Sequence, residues 1–292
     1  MILALLSVAA GASAAPLERF FVMGSGRIAL VNAHTNERVS VRYRREDLSY
    51  DEAALARIRH VFRSADGSEG DISLRLIEIL SRVQQLSGGR ELALISGYRS
   101  PSYNAGLRAK GVKAAGGSLH TEGLAADLAF PRPTLRPLWM RVRELECCGA
   151  GFYEKDGFLH VDVGKARFWE PATSRVEENL SAGNARMFAR TEFDRYRAGE
   201  TISIAIHAVT DPPIQLARDG TLIADDGEAR MARIYSDHSN DEFCIEVLHS
   251  PTVVNVSSPA ARANRARIVL STCEPHVGRT PAVVDVNSVA IQ

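Results

Sequence analysis

Ser118-Leu119-His120-Thr121-Glu122-Gly123-Leu124-Ala125-Ala126-Asp127-Leu128 sets a histidine and an aspartate seven positions apart, with Gly123 between them and small residues beside the aspartate. An imidazole nitrogen and a carboxylate oxygen are both zinc ligands, and a catalytic zinc commonly takes three protein ligands and one water. Downstream, Gly157-Phe158-Leu159-His160-Val161-Asp162 carries a third ligand, His160, inside a short apolar run. Burying an imidazole there without a partner is costly. His120, Asp127 and His160 are therefore a candidate zinc set, and the chain is read as a zinc hydrolase. The competing reading makes His120 and Asp127 ordinary solvated or capping residues of a loop.

The elements around this stretch follow from periodicity. Leu124 to Phe130 is expected to be a central strand ended by Pro131, and Gly157 to Val163 another. In a strand, side chains two apart share a face, so His160 and Asp162 should point the same way. Glu91 to Gly97 reads as a buried strand, followed at once by Tyr98-Arg99-Ser100-Pro101. Gly26 to Val31 and Glu37 to Tyr43 read as two short strands, with His34 in the turn between them. Helices are predicted from Asp51 to Arg63 (Leu55, Ile58, Val61 and Phe62 at helical spacing), Ile72 to Leu86, Tyr103 to Ala109 and Leu135 to Cys147. A Gly/Ala/Lys-rich loop, Lys110 to Gly117, leads into the metal stretch.

With 292 residues, 45% of them hydrophobic, two ordinary domains can each bury a core. The formal net charge is zero, with a small basic excess in the first half and an acidic one in the second. That balance argues against a nucleic-acid binder of the strongly basic kind. Met1 to Ala14 is small, apolar and ends in Ala12-Ser13-Ala14, the pattern of a signal peptide with a cleavage site, though without a basic start. It is too short to span a bilayer, and no later stretch is long and apolar enough. An exported chain permits disulfides. Cys244–Cys273 is the favoured pairing, and two reduced buried cysteines are the alternative.

From Pro171 to Thr191 the chain becomes polar and loses periodicity, which reads as a linker. Beyond it, β-type runs at 201–209, 214–218, 243–248, 252–256, 267–271 and 283–286 alternate with Gly, Pro, Asp and Asn turns. That rhythm suggests a small all-β sandwich. His207, His238, His249 and His276 show no ligand-like pattern there and are read as incidental. The expected division is a leader at 1–14, a zinc domain at 15–170, a linker at 171–191 and a β domain at 192–292.

Taken in order, Ser96-Gly97-Tyr98-Arg99-Ser100-Pro101, Ser118-x-His120-x-x-Gly123-x-Ala125-x-Asp127 and Phe158-x-His160-Val161-Asp162-Val163-Gly164 resemble a known family. They are similar to the zinc D,D-peptidases of the lysostaphin/D-Ala-D-Ala metallopeptidase/hedgehog superfamily, and more closely to the YcbK/MepK-like murein endopeptidases. Gly149-Ala150-Gly151-Phe152-Tyr153 and Arg167-Phe168-Trp169 add to the match, which covers about Arg27 to Trp169. The resemblance implies an α+β domain, a mostly antiparallel sheet backed by helices, with one zinc held by His120, Asp127 and His160. It implies that Arg99 stabilises negative charge on the attacked carbonyl or holds a peptide carboxylate. Asp162 becomes a carboxylate that orients a ligand, Ser118 a hydrogen-bond donor near the site, Tyr98 a packing residue and Glu122 a solvated one.

One departure from the superfamily matters. Several members place an acidic base three residues before the last histidine ligand, where this chain has Gly157. Glu154, Asp156 and Asp162 remain as bases for the water's proton, with Asp162 slightly ahead of Glu154. The expected function is an exported zinc endopeptidase, periplasmic or secreted, cutting peptide cross-links in peptidoglycan. Two alternatives stay open: a D,D-carboxypeptidase on muropeptides, and a non-catalytic wall-binding protein that keeps the zinc fold.

Overall fold

Alternating apolar residues in Arg27–Asn32 (β1) and Arg38–Arg42 (β2) pair as an antiparallel hairpin that turns Ile28, Leu30 and Val39 into the core. The computed structural model describes residues 15–111, 117–173, 182–236, 243–259, 262–273 and 279–292. The leader expected at 1–14, most of the loop at 110–117, much of the expected linker, and His238 and His276 lie outside the described residues.

Asp51 caps α1 (Glu52–Phe62) by accepting from the Ala54 amide at 3.0 Å, and the helix buries Leu55, Ile58, Val61 and Phe62. Next, α2 (Leu74–Leu86) is buried on most of its surface. It carries Glu78 into the core, where the carboxylate pairs with Arg44 and accepts from Tyr43 at 2.9 Å and Tyr50 at 3.1 Å. A buried charge is tolerable only when it is matched in this way. The remaining elements of the first half are β3 (Leu92–Ser96), α3 (Pro101–Ala109), β4 (Ala125–Ala129), α4 (Arg132–Arg143), β5 (Gly149–Tyr153), β6 (Phe158–Asp162) and β7 (Arg167–Trp169).

These strands form one seven-stranded sheet in the order β2-β1-β3-β4-β6-β5-β7. Pairing is parallel only at β1–β3 and β5–β7, so the sheet is mostly antiparallel. The helices close over it around Leu76, Leu80, Leu94, Leu128, Trp139, Phe152 and Val161. The fold is thus mixed α+β with four α-helices among the described residues. One boundary shifts instructively: α4 starts at Arg132, ahead of the predicted Leu135. Pro133 fits the first turn, where its missing N–H costs nothing.

The second half contains β8 (Phe188–Thr191), β9 (Arg195–Tyr196), β10 (Thr201–His207), β11 (Ile214–Ala217), β12 (Asp219–Ala224), β13 (Ala229–Tyr235), β14 (Cys244–Val247), β15 (Thr252–Ser257), β16 (Ala263–Ser271), β17 (Val283–Asp285) and β18 (Val289–Ile291). Nine of them build one sheet, and β11–β14 form a separate pair. A second core, including Ile202, Ile204, Val254, Ile268 and Leu270, lies within this half. Cys244 and Cys273 are bonded, with an S–S distance of 2.06 Å, and Cys147 pairs with Cys148. β8 already pairs with β10, so strand structure begins inside the stretch read as a linker.

The segment before β1 runs onto the second sheet. Arg19 pairs with Glu200 at 2.6 Å, the Phe21 amide donates to Asp194 at 2.9 Å, and Phe20 is fully covered. Asp194 also pairs with Arg75 of α2. No helix among the described residues is long and apolar enough to cross a membrane.

Candidate metal centre

Three segments converge beside the middle of the first sheet. His120 sits on a single 3-10 turn, Leu119–Glu122, that β4 follows. That turn ends at Gly123, whose φ of 65° is left-handed, and a Cβ there would lie 1.7 Å from the Asp71 carbonyl oxygen. Only glycine lets the chain pass so close to the segment before α2. On β4, Asp127 lies directly opposite His160 of β6. The strand period puts His160 and Asp162 on one face of β6, while Leu159 and Val161 fill the core on the other.

The facing atoms form a compact group. His120 Nε2 is 3.4 Å from Asp127 Oδ2, and His160 Nδ1 is 2.7 Å from Asp127 Oδ1. One ligand atom from each of the three residues lies within 4.8 Å of the other two. For His120 the tautomer can be read from the second partner. His120 Nδ1 meets the Gly97 carbonyl at 2.8 Å. A carbonyl only accepts, so Nδ1 carries the proton and Nε2 is free to ligate. Both His160 nitrogens face carboxylates, Nε2 at 3.2 Å from Asp162 and Nδ1 at 2.7 Å from Asp127, so each carboxylate takes an N–H and a metal at Nδ1 would displace the proton there. A ligating histidine that gives its other N–H to a carbonyl or carboxylate is the usual arrangement around a protein metal. Two imidazole nitrogens and one carboxylate oxygen fit a zinc-type ion with a position left open.

Electrostatics point the same way. Burial would raise the Asp127 carboxyl, but the two histidines outweigh it and hold its pKa far below the usual carboxylate range. Burial pushes the His120 imidazole down, only partly offset by Asp127. His160 resists burial: hydrogen bonds to Asp127 and Asp162, and their charges, raise its pKa to about 9. Asp162 also stays ionised against full burial, chiefly through Arg167 and His160. Its two oxygens accept from Arg167 at 2.8 and 3.2 Å and from the Gly164 amide at 2.8 Å.

Two glycines make room for this shell. A Cβ on Gly149 would sit 2.3 Å from an Asp162 oxygen, and one on Gly151 would sit 2.5 Å from the Trp169 ring. Trp169 in turn lies 5.3 Å from the His160 ring, centroid to centroid, and donates to Tyr153 at 3.0 Å.

The other residues singled out from the sequence fall as follows. Arg99 reaches the group, donating to Asp127 at 3.0 Å and to Ser96 at 2.8 Å. Ser118 is buried at the start of the 3-10 turn, and Tyr98 packs against the core. Glu154 and Asp156 are exposed in the turn joining β5 to β6, outside the convergent group. Glu122 and His207 depart from expectation. Glu122 is not solvated and His207 is not incidental: the Glu122 carboxylate accepts from His207 Nδ1 at 2.6 Å and from the Ala208 amide at 3.0 Å, and both side chains are nearly fully covered. Arg167, which in the sequence stands out only within Arg167-Phe168-Trp169, is the main partner of Asp162. Its position five residues on, just past Gly164, was the available signal.

Asp127 and His160 on adjacent antiparallel strands, His120 on the turn before them and an arginine on the aspartate make a candidate site of the metallopeptidase kind. The family model described as peptidoglycan L,D-endopeptidase MepK matches residues 23–169, and the chain belongs to that family. The peptidoglycan L,D-endopeptidase MepK of Escherichia coli K12 is 34% identical over 173 residues, covering 58% of this chain and 94% of that protein. The Shigella flexneri protein of the same name matches to the same extent. The probable peptidoglycan L,D-endopeptidase MepK of Haemophilus influenzae is 35% identical over 80 residues, 27% of this chain and 43% of its own length.

Proposed function

We propose that this protein is an exported peptidoglycan L,D-endopeptidase that works with one zinc ion held by His120, Asp127 and His160. The observation that carries the reading is the convergence of those three ligand atoms, with the other nitrogen of each histidine held by a carbonyl or a carboxylate. The bond type is the one named for the Escherichia coli and Shigella flexneri relatives, which this chain matches over nearly their whole length. Their substrate also supports a periplasmic location.

His120, Asp127 and His160 would hold a zinc ion that would supply Lewis acidity to a scissile carbonyl and an activated water. The chain's own residues do the rest. Asp127 and the two histidines keep their ligating atoms aimed at one point. Asp162, with both oxygens engaged, holds the His160 ring in position, a role its full burial suits better than that of a free base. Arg99 presents a fixed cation beside Asp127, where it can bind a substrate carboxylate or the charge that develops on a carbonyl oxygen. Trp169 offers an aromatic wall next to His160 for the substrate peptide. The two hydrophobic cores support a division into two folding units, the second beginning at β8 and carrying the segment before β1 on its sheet.

Purified full-length protein incubated with zinc should convert cross-linked muropeptide dimers into monomers, and a chelator should stop it. Mass spectrometry of the new ends should show cleavage between an L- and a D-centre. Loss of only a terminal D-Ala from monomers would make it a carboxypeptidase. Intact dimers at full zinc occupancy would make it a wall-binding protein.

A further inference from the structure

Both metal-bearing segments are gripped from the second half of the chain. On one side, the 3-10 turn that carries His120 ends in Glu122, whose carboxylate is held by His207 and by the Ala208 amide at the end of β10. Ala208 adopts a left-handed φ of 58°, a conformation a non-glycine residue holds only where its surroundings demand it. Together with Phe188 it packs into the core of the first half, not the second, and Phe188 stacks on the His207 ring at 5.3 Å.

On the other side, Arg190 of β8 donates to the carbonyls of Val163 at 3.0 Å and Gly164 at 2.6 Å. The Gly164 amide is the one that holds Asp162, and Asp162 holds His160. Two chains of contact therefore run from the β-rich half to two different ligands: His207–Glu122–His120 and Arg190–Gly164–Asp162–His160. The family match ends at residue 169, so neither His207 nor Arg190 lies within it.

We propose that the β-rich half acts as a clamp on the metal centre, with His207 and Arg190 as positioning residues that hold the His120 turn and the Val163–Gly164 bend in ligating geometry. This rests on the reading of His120, Asp127 and His160 as metal ligands. It assigns the additional domain a role in metal retention and turnover, independent of any wall binding. Buried polar partners one step behind metal ligands commonly matter 10- to 100-fold in affinity or activity. His207 stands one step further back, so its loss should cost about tenfold.

The test uses the full-length chain and four variants: His207→Ala, His207→Asn, Glu122→Gln and the His207→Ala/Glu122→Gln double. His207→Asn keeps an N–H donor near the Nδ1 position. Hydrogen exchange on the metal-free protein should show residues 119–124 opening about tenfold faster in His207→Ala, with the β10 and β15 amides unchanged. Zinc affinity, measured by competition with a chelating dye, should fall about tenfold, and kcat should fall with KM little changed. His207→Asn should restore all three to within about twofold. His207→Ala combined with Glu122→Gln should be no worse than either alone, because both break one contact. Unchanged exchange at 119–124 and unchanged zinc affinity in His207→Ala would overturn the clamp, as would fully additive losses in the double variant. If His207→Ala fails to fold, Glu122→Gln is read by the same exchange and affinity criteria. A wild-type chain that binds no zinc would defeat the metal reading instead, and the exchange measurement would still decide whether the β-rich half holds the turn.

Discussion

Replacing Asp162 with asparagine changes one charge and almost no volume, and the structure says where the damage should appear. The carboxylate is fully buried and only accepts, from the His160 Nε2–H, from Arg167 and from the Gly164 amide. Asparagine can still accept from Gly164 through its oxygen, but its amide nitrogen must then face His160 or Arg167, both donors. The ring escapes by giving up its Nε2 proton and keeping the one on Nδ1, which Asp127 accepts. That tautomer cannot ligate through Nδ1, so zinc affinity should fall 10- to 100-fold, or about 1.4–2.8 kcal/mol. A charge-assisted hydrogen bond is worth about 1.5–3 kcal/mol. Arg167 is partly exposed and can be resolvated, so the stability loss should stay near the lower figure. For a chain of this size that is a fall of about 3–6 °C in Tm. Dye competition for zinc and a thermal melt measure the two quantities separately. An Asp162→Asn protein with wild-type zinc affinity would refute the tautomer argument, whatever happened to its Tm.

His120→Ala should abolish stoichiometric zinc by elemental analysis, because two ligands remain where catalytic sites use three; undiminished zinc would remove His120 from the set. Gly123→Ala meets both the left-handed φ and the Asp71 carbonyl, so a loss of about 2–4 kcal/mol in a denaturant titration is expected, and a loss below 1 would contradict the contact. Gly151→Ala drives a methyl into Trp169 and should cost about 1–3 kcal/mol, visible also as a changed tryptophan emission. Expressed alone, residues 182–292, which keep β8 on β10, should fold around their own core and show a cooperative melt; a chain without one would mean that the second half depends on the first for its structure.

Much of the centre was legible because its logic is local. His160 and Asp162 share a face through the strand period alone, and Asp127 faces His160 because two short apolar runs pair in register. What stayed hidden was long-range. Glu122 looks solvated in its own neighbourhood, since its partner is 85 positions away. His207 looks incidental for the same reason. β12 and β13 were missed because Asp219, Gly220 and a run of exposed residues from Ala229 to Met231 break the apolar alternation on one face. The base could not be settled by spacing, because whether Asp162 is free depends on Arg167 reaching back around the Gly164 bend.

The segment before β1, fastened to the second sheet through Arg19, Phe20 and Phe21, changes the arithmetic of the contact between the halves. The second half is joined to the first twice, by the peptide chain after β7 and by this clasp. A surface held that way meets its counterpart at an effective concentration in the millimolar range. At that concentration, contacts worth only about 4 kcal/mol keep it mostly docked. A few polar grips such as Glu122–His207 and Arg190 on the Val163–Gly164 bend therefore suffice where two free proteins would need a broad apolar face. Unfastening the clasp, with Arg19 and Phe20 both replaced, would dilute every one of those grips at once without touching any of them.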